Sequence, residues 1–367
     1  MRPAESLLRQ PEWPRAGNFV TLRPMVGRGI WHLGRIGRAA GLCVSALMTL
    51  FGLAAPALAD SLYTVPKYAA ILIDYDTGEV MYARQADAIR FPASITKVMT
   101  LYVAFEELKA GNLRENDVIR VSTHAARQQP SKLGLRPGAT ISVKDAMGVI
   151  ATRSANDISV ALAEAISGSE EDFALRMTRT ARRLGMTRTT FRNATGLPDD
   201  QHVTTARDIA ILSRALIRDF PRRYPLFSTV EYEYEGQQIG NHNHLLKTMP
   251  GVDGIKTGFT NAAGFTLAAS SLRNGKRLIA VVLGGPNRLK RDGNVSELLE
   301  TGFYVLNARA RGQMTTVAAN FAEPDDLSDA VMDRLASDEP AAGGLVQTNA
   351  RANGLAAAGS SRTRQQP

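Results

Sequence analysis

The order of strand-like and helix-like runs constrains this chain more tightly than its composition does. Residues 68–74 form an apolar strand pattern, Asp76-Thr77-Gly78 is a turn, and residues 79–84 return, which predicts an N-terminal hairpin. Three more strand patterns appear only late in the chain, over residues 256–260, 265–271 and 277–283, with Asn274-Gly275 as the tight turn between the last two. Helical spacing of apolar residues fills the middle, over 94–110, 143–152, 157–166, 170–184 and 206–217, and a closing helix is expected over 295–310. Strands at both ends must find each other across the helices. The expected fold is therefore α+β, an antiparallel sheet with a helical subdomain inserted between its N-terminal and C-terminal strands.

With 367 residues and 44% hydrophobic content, the chain can bury a substantial core, but its two ends differ from the body. Residues 1–59 read as an export signal. Arg28, Arg35 and Arg38 precede a charge-free run that closes on Ala57-Leu58-Ala59, with Pro56 breaking any helix just before that small-residue site. Met25 is a candidate true start. The single cysteine, Cys43, lies in the run that would be removed, so a mature chain has no disulfide and depends on its core.

The formal net charge of +9 includes +5 from the seven Arg and two Glu of residues 1–59, leaving +4 after cleavage. Residues 60–311 alone carry +7, a balance suited to an anionic wall polymer or membrane surface, and export argues against a nucleic-acid partner. From 312 to 367 the chain is rich in Ala, Gly, Ser, Asp and Pro and is expected to be disordered, apart from a possible short helix over 326–336.

Three short motifs fall within the body in a fixed order: Ser94-Ile95-Thr96-Lys97, Ser154-Ala155-Asn156 and Lys256-Thr257-Gly258. Ser94 follows Phe91-Pro92-Ala93, where proline favours the start of a helix, and Lys97 lies one turn on with its side chain on the same face. A lysine acts as a base only when neutral, so burial and a second cation, for which Lys256 is the candidate, must lower its proton affinity. Ser154 and Asn156, two apart in a turn-prone run, can point the same way, one to relay a proton and one to grip an amide. Gly258 leaves the surface of its strand clear for a substrate backbone, and the N–H groups of Phe259 and Ser94 are candidates for an oxyanion hole. Together these groups form a kit for acyl transfer through a serine ester.

These motifs, with Asn193-Ala194-Thr195-Gly196-Leu197 and Val281-Val282-Leu283-Gly284, make residues 65–307 resemble the serine D-alanyl-D-alanine carboxypeptidases, the low-molecular-mass penicillin-binding proteins. The resemblance implies a β-lactamase/transpeptidase-like fold and hydrolysis of the terminal D-Ala-D-Ala bond of peptidoglycan stem pentapeptides. It also implies acylation by β-lactams, a periplasmic location and no cofactor. By resemblance Ser94 is the acylated nucleophile, Lys97 its base and Ser154 the relay to the leaving D-alanine. Asn156 holds the acyl side, Lys256 orients Ser154, Thr257 binds the substrate carboxylate, and Arg291 matches the carboxylate-binding position, with Arg288 as fallback.

No glutamate occurs between Asp172 and Val230, where a class A β-lactamase would carry the one that activates its hydrolytic water, so penicillin is expected to leave Ser94 slowly. Phe259-Thr260-Asn261-Ala262-Ala263-Gly264 also resembles the branch of D,D-endopeptidases that cut cross-links, which is the alternative activity. A non-catalytic wall-peptide or penicillin-binding protein is the alternative from another class, and the complete set of catalytic side chains argues against it. The 56 residues after Arg311 are too few and too polar for the second domain and basic anchor of larger carboxypeptidases, which leaves membrane attachment open. His242-Asn243-His244 has metal-site spacing but no Cys or acidic ligand beside it, so no metal is expected.

Overall fold

In the computed structural model the described residues run from Lys67 to Ala322. The expected export segment, Met25, Cys43 and the helix expected over 326–336 lie outside them. The chain opens with β1 (Ala69–Asp74) and β2 (Val80–Arg84), then a 3-10 turn, Ala93–Ile95, that leads into α1 (Thr96–Ala110). The insertion follows as β3 (Val118–Arg120), α2 (Thr123–Ala126), β4 (Thr140–Ser142), α3 (Val143–Thr152), α4 (Asn156–Ser167), α5 (Glu170–Leu184) and α6 (Ala206–Asp219). A small hairpin of β5 (Glu231–Tyr234) and β6 (Gln237–Gly240) and the short α7 (Leu245–Thr248) precede β7 (Val252–Thr260), β8 (Gly264–Arg273), β9 (Lys276–Gly285) and α8 (Arg288–Ala310).

The five long strands form one antiparallel sheet in the order β2-β1-β9-β8-β7. β1 and β9, from opposite ends of the body, pair from Ala69↔Leu283 to Asp74↔Leu278. Their side chains alternate between two cores. Ala69, Ile71, Ile73, Ile279, Val281 and Leu283 pack against the helical insertion, while Ala70, Leu72, Leu278, Ala280 and Val282 pack on the α8 side. Both faces are covered, which is why these strands read as unbroken apolar runs. The order also leaves β7, which carries Lys256-Thr257-Gly258, at an edge with one side free of strand partners.

Two boundaries differ from expectation. The packed body does not stop at Arg311: Val317 and Phe321 are buried in the α8-side core, and the Phe321 ring meets Tyr82 edge-on at 5.0 Å. Two apolar residues four apart are enough to cover the end of that core, although the segment as a whole is polar. α8 begins at Arg288, seven residues before the expected start at 295, and the Asn287 side chain caps it by accepting from the Lys290 N–H. Its first turn is almost entirely charged and hides the apolar period, so Arg288 and Arg291 stand on a helix and not in a loop.

Candidate active site

Ser94 lies in the 3-10 turn immediately before α1, and Lys97 in the first turn of that helix. The three-residue spacing puts the Lys97 Nζ 3.1 Å from the Ser94 Oγ. The same Nζ donates to Asn156 Oδ1 at 2.6 Å and to the Thr195 carbonyl at 2.7 Å. A neutral amine has two N–H groups and one lone pair. The two carbonyl oxygens take the N–H groups, which leaves the lone pair for the serine O–H. Lys97 is fully buried, and that burial, reinforced by the nearby Lys256, holds its proton affinity well below that of a free lysine, against an opposing pull from Asp157 and Glu170.

Asn156 opens α4, and its Nδ2 donates to the Gln129 carbonyl at 2.8 Å, which turns Oδ1 toward Lys97. Asp157, fully buried, accepts the N–H groups of Leu133 at 3.0 Å and Gly134 at 2.8 Å. These bonds tie the 129–134 loop across the second motif and bring Pro130 and Ser131 to the rim of the cleft. Ser154 adopts a left-handed backbone (φ 65°) between α3 and α4, a conformation that is unfavourable for a non-glycine residue and is concentrated at functional sites. Its buried Oγ has no hydrogen-bond partner among the described residues.

Lys256 is buried under β7 and donates to the Thr257 carbonyl at 3.1 Å. Burial first, and the Arg291 charge second, bring its pKa down to about 7. The Lys256–Ser154 hydrogen bond implied by the resemblance is not present: the ammonium is turned to its own strand. Gly258 lies where the Ala93–Ile95 turn that carries Ser94 meets the strand. A Cβ there would come within 2.8 Å of the Ser94 N and 2.6 Å of Thr266 Oγ1, so any side chain would push the turn off β7. Phe259 is half-exposed and packs on Phe265 with ring centroids 4.3 Å apart. Arg291, buried, pairs through Nε with Asp292 at 2.7 Å and donates from Nη1 to the Thr266 carbonyl at 2.6 Å, which steadies the guanidinium at the end of the cleft.

Ser94, Ser154, Asn156, Thr257, Gly258, Phe259 and Arg291 line one cleft of about 460 Å³. Lys97 and Lys256 lie beneath it. Several contributors were not foreseen. The Thr195 carbonyl is held in place through its neighbour Ala194, whose N–H donates to Glu170 Oε1 at 3.0 Å and whose carbonyl accepts from Thr100 Oγ1 at 2.7 Å. The other Glu170 oxygen pairs with His124 Nε2 at 2.7 Å. Glu170 lies just before the glutamate-free stretch from Asp172 to Val230, but it does not line the cleft and both its oxygens are engaged. Gly196 (φ 82°) lets the loop cross the turn that carries Ser94, since a Cβ there would fall 1.8 Å from the Ala93 carbonyl oxygen. His242 and His244 also line the cleft, and among the described residues no three His, Cys, Asp or Glu side chains gather to hold a metal ion.

Comparison with known families matches the D-alanyl-D-alanine carboxypeptidase model to residues 57–287, spanning all three motifs. The chain belongs to that family. D-alanyl-D-alanine carboxypeptidase DacF of Bacillus subtilis is 38% identical over 243 residues, covering 64% of this chain and 61% of that protein. DacC of Escherichia coli is 38% identical over 276 residues, 73% of this chain and 68% of that protein. For DacF and for E. coli DacA the chain spans 61% and 60% of the relative's length. Among solved structures, penicillin-binding protein 5 from Haemophilus influenzae superposes with a TM-score of 0.62 at 35% identity, over 64% of this chain and 70% of that one. Penicillin-binding protein D2 from Listeria monocytogenes, in its cefotaxime-bound form, gives 0.59 at 32% identity, over 64% and 96%. Membership in the family agrees with the α+β arrangement of sheet and inserted helices.

Proposed function

We propose that this chain is a serine-type D-alanyl-D-alanine carboxypeptidase that releases the terminal D-alanine of peptidoglycan stem pentapeptides, and that β-lactams acylate the same serine. The observation that carries this reading is the buried Lys97 Nζ, 3.1 Å from the Ser94 Oγ and held by two carbonyl oxygens, an arrangement in which a neutral amine has its lone pair left for Ser94. In the forward step Lys97 takes the Ser94 proton while Oγ bonds to the penultimate carbonyl carbon, and the oxyanion rests on the N–H groups of Ser94 and Phe259. The C–N bond then breaks, and the proton passes through the Ser154 hydroxyl to the leaving amine. Water deacylates by the reverse route, with Lys97 taking its proton and Ser94 regaining one. Lys256 supplies a positive field beside the relay, Asn156 and the free edge of β7 hold the acyl half, and Thr257 with Arg291 takes the terminal carboxylate.

A β-lactam mimics the acyl half and carries its own carboxylate. Among the described residues no carboxylate lines the cleft, and both Glu170 oxygens are engaged elsewhere, so nothing there drives hydrolysis of the ester and the acyl-enzyme persists. Export to the periplasm belongs to the same reading and rests on residues 1–59. The alternative, D,D-endopeptidase cleavage of cross-links, is favoured by one observation: Arg288 and His244 line the same cleft as Arg291 and add room and charge for a larger leaving group. Incubation with a pentapeptide ending in D-Ala-D-Ala and with a cross-linked dimer separates the two. Release of D-alanine, absent in Ser94→Ala, supports the main reading, and dimer cleavage without D-alanine release replaces it with the alternative.

A further inference from the structure

Resting on that reading, we propose that Arg288 and His244 form a second anion subsite on the leaving-group side of the cleft. It would take a carboxylate beyond the one bound at Arg291, so a leaving amine that carries a second free carboxylate is favoured over the same amine with that carboxylate amidated.

The charge inventory of the cleft points this way. Its lining includes Arg288, Arg291, His242 and His244 and no acidic residue. Arg288 and Arg291 are three apart on the first turn of α8 and so share a face. Arg291 already has a counter-charge in Asp292 and a second bond to the Thr266 carbonyl. Arg288 has no ion pair among the described residues. Its Nη1 donates at 2.6 Å to His244 Nε2, which must offer a lone pair and so brings no compensating negative charge.

That bond fixes the direction of the guanidinium. His244 stands just before α7 and Arg288 at the start of α8, so the pair joins the two segments at the cleft wall, one helical turn from Arg291, and leaves most of the Arg288 N–H groups uncommitted among the described residues. The two guanidiniums repel: Arg291 has its proton affinity lowered first by burial and also by Arg288. A single carboxylate on Arg291 leaves the Arg288 charge unanswered, while a second carboxylate farther along the leaving group answers it with a forked, charge-assisted hydrogen bond. Arg288 is exposed, so solvent screens the gain and the expected preference is about tenfold, smaller at high salt.

The test uses the full chain and three matched peptides ending in D-Ala-D-Ala, in D-Ala-D-α-aminopimelate and in the ω-amide of the last, with kcat/KM measured for each. The wild type is expected to prefer the ω-acid over the ω-amide about tenfold. Arg288→Ala should abolish that preference with an unchanged melting temperature, Arg288→Lys should keep part of it, and about 0.5 M salt should shrink it. Equal rates for acid and amide in the wild type, or equal losses on both in Arg288→Ala, overturn the subsite while D-alanine release leaves the carboxypeptidase reading intact. Release of no amine from any of the three peptides overturns both.

Discussion

Lys97 is buried between charges of opposite sign, and on the proposed mechanism its burial, tuned by those charges, sets the pH at which Ser94 can be deprotonated. Burial and Lys256 disfavour its protonated form, while Asp157 and Glu170 favour it. Acylation needs neutral Lys97, so its rate falls as pH drops through the Lys97 pKa, giving an acid limb. In Lys256→Gln the cation is lost, Lys97 binds its proton more tightly, and the acid limb of penicillin acylation should move to higher pH. In Glu170→Gln the amide can still accept from the Ala194 N–H but the negative charge is gone, so the limb should move to lower pH. Stopped-flow acylation profiles check both, and limbs that stay in place would remove Lys97 from the role of base. The approach of Ser94 and Lys97, the proposed nucleophile and base, was legible in the sequence because a three-residue helical spacing alone brings them together. Glu170 and the Thr195 carbonyl were not, because they act through a backbone segment distant in sequence that only the tertiary fold brings to Lys97.

At the scale of elements, the sheet and most helices followed from apolar period and turn chemistry. α3 and α5 match the expected ranges, and Thr205 caps α6 by accepting from the Asp208 N–H. The β5–β6 hairpin was missed although Glu231-Tyr232-Glu233-Tyr234 alternates and Glu235-Gly236 supplies its positive-φ turn, because its strands are only four residues long and turn just Tyr232, Tyr234 and Ile239 to the core. The crossing of the 193–197 loop over the nucleophile turn was equally invisible, being a contact between segments about a hundred residues apart. It makes a sharp prediction. Gly196→Ala adds a left-handed strain and a clash with the Ala93 carbonyl, which is backbone and has no rotamer to yield, so stability should fall by about 3 kcal/mol and penicillin labelling with it. A melting temperature equal to wild type would show that the loop lies elsewhere.

For the molecule as a whole, the sheet separates two cores, one against the helical insertion and one against α8 and the segment after it. The described fold ends beyond the closing helix, and Val317 and Phe321 are part of the second core. A chain ending at Arg311 should be less stable than one ending at Ala322 by about 3 kcal/mol from the lost apolar burial, read as a lower urea midpoint. Equal midpoints would make that packing incidental. On the proposed function, Ser94, activated by a neutral lysine, forms an acyl-enzyme that no nearby glutamate hydrolyses. Intact-mass analysis of the protein with benzylpenicillin, followed by peptide mapping, addresses it most directly. The account predicts one stable penicilloyl adduct on Ser94, absent in Ser94→Ala. An adduct on another residue, or rapid penicillin hydrolysis with no adduct, would contradict it.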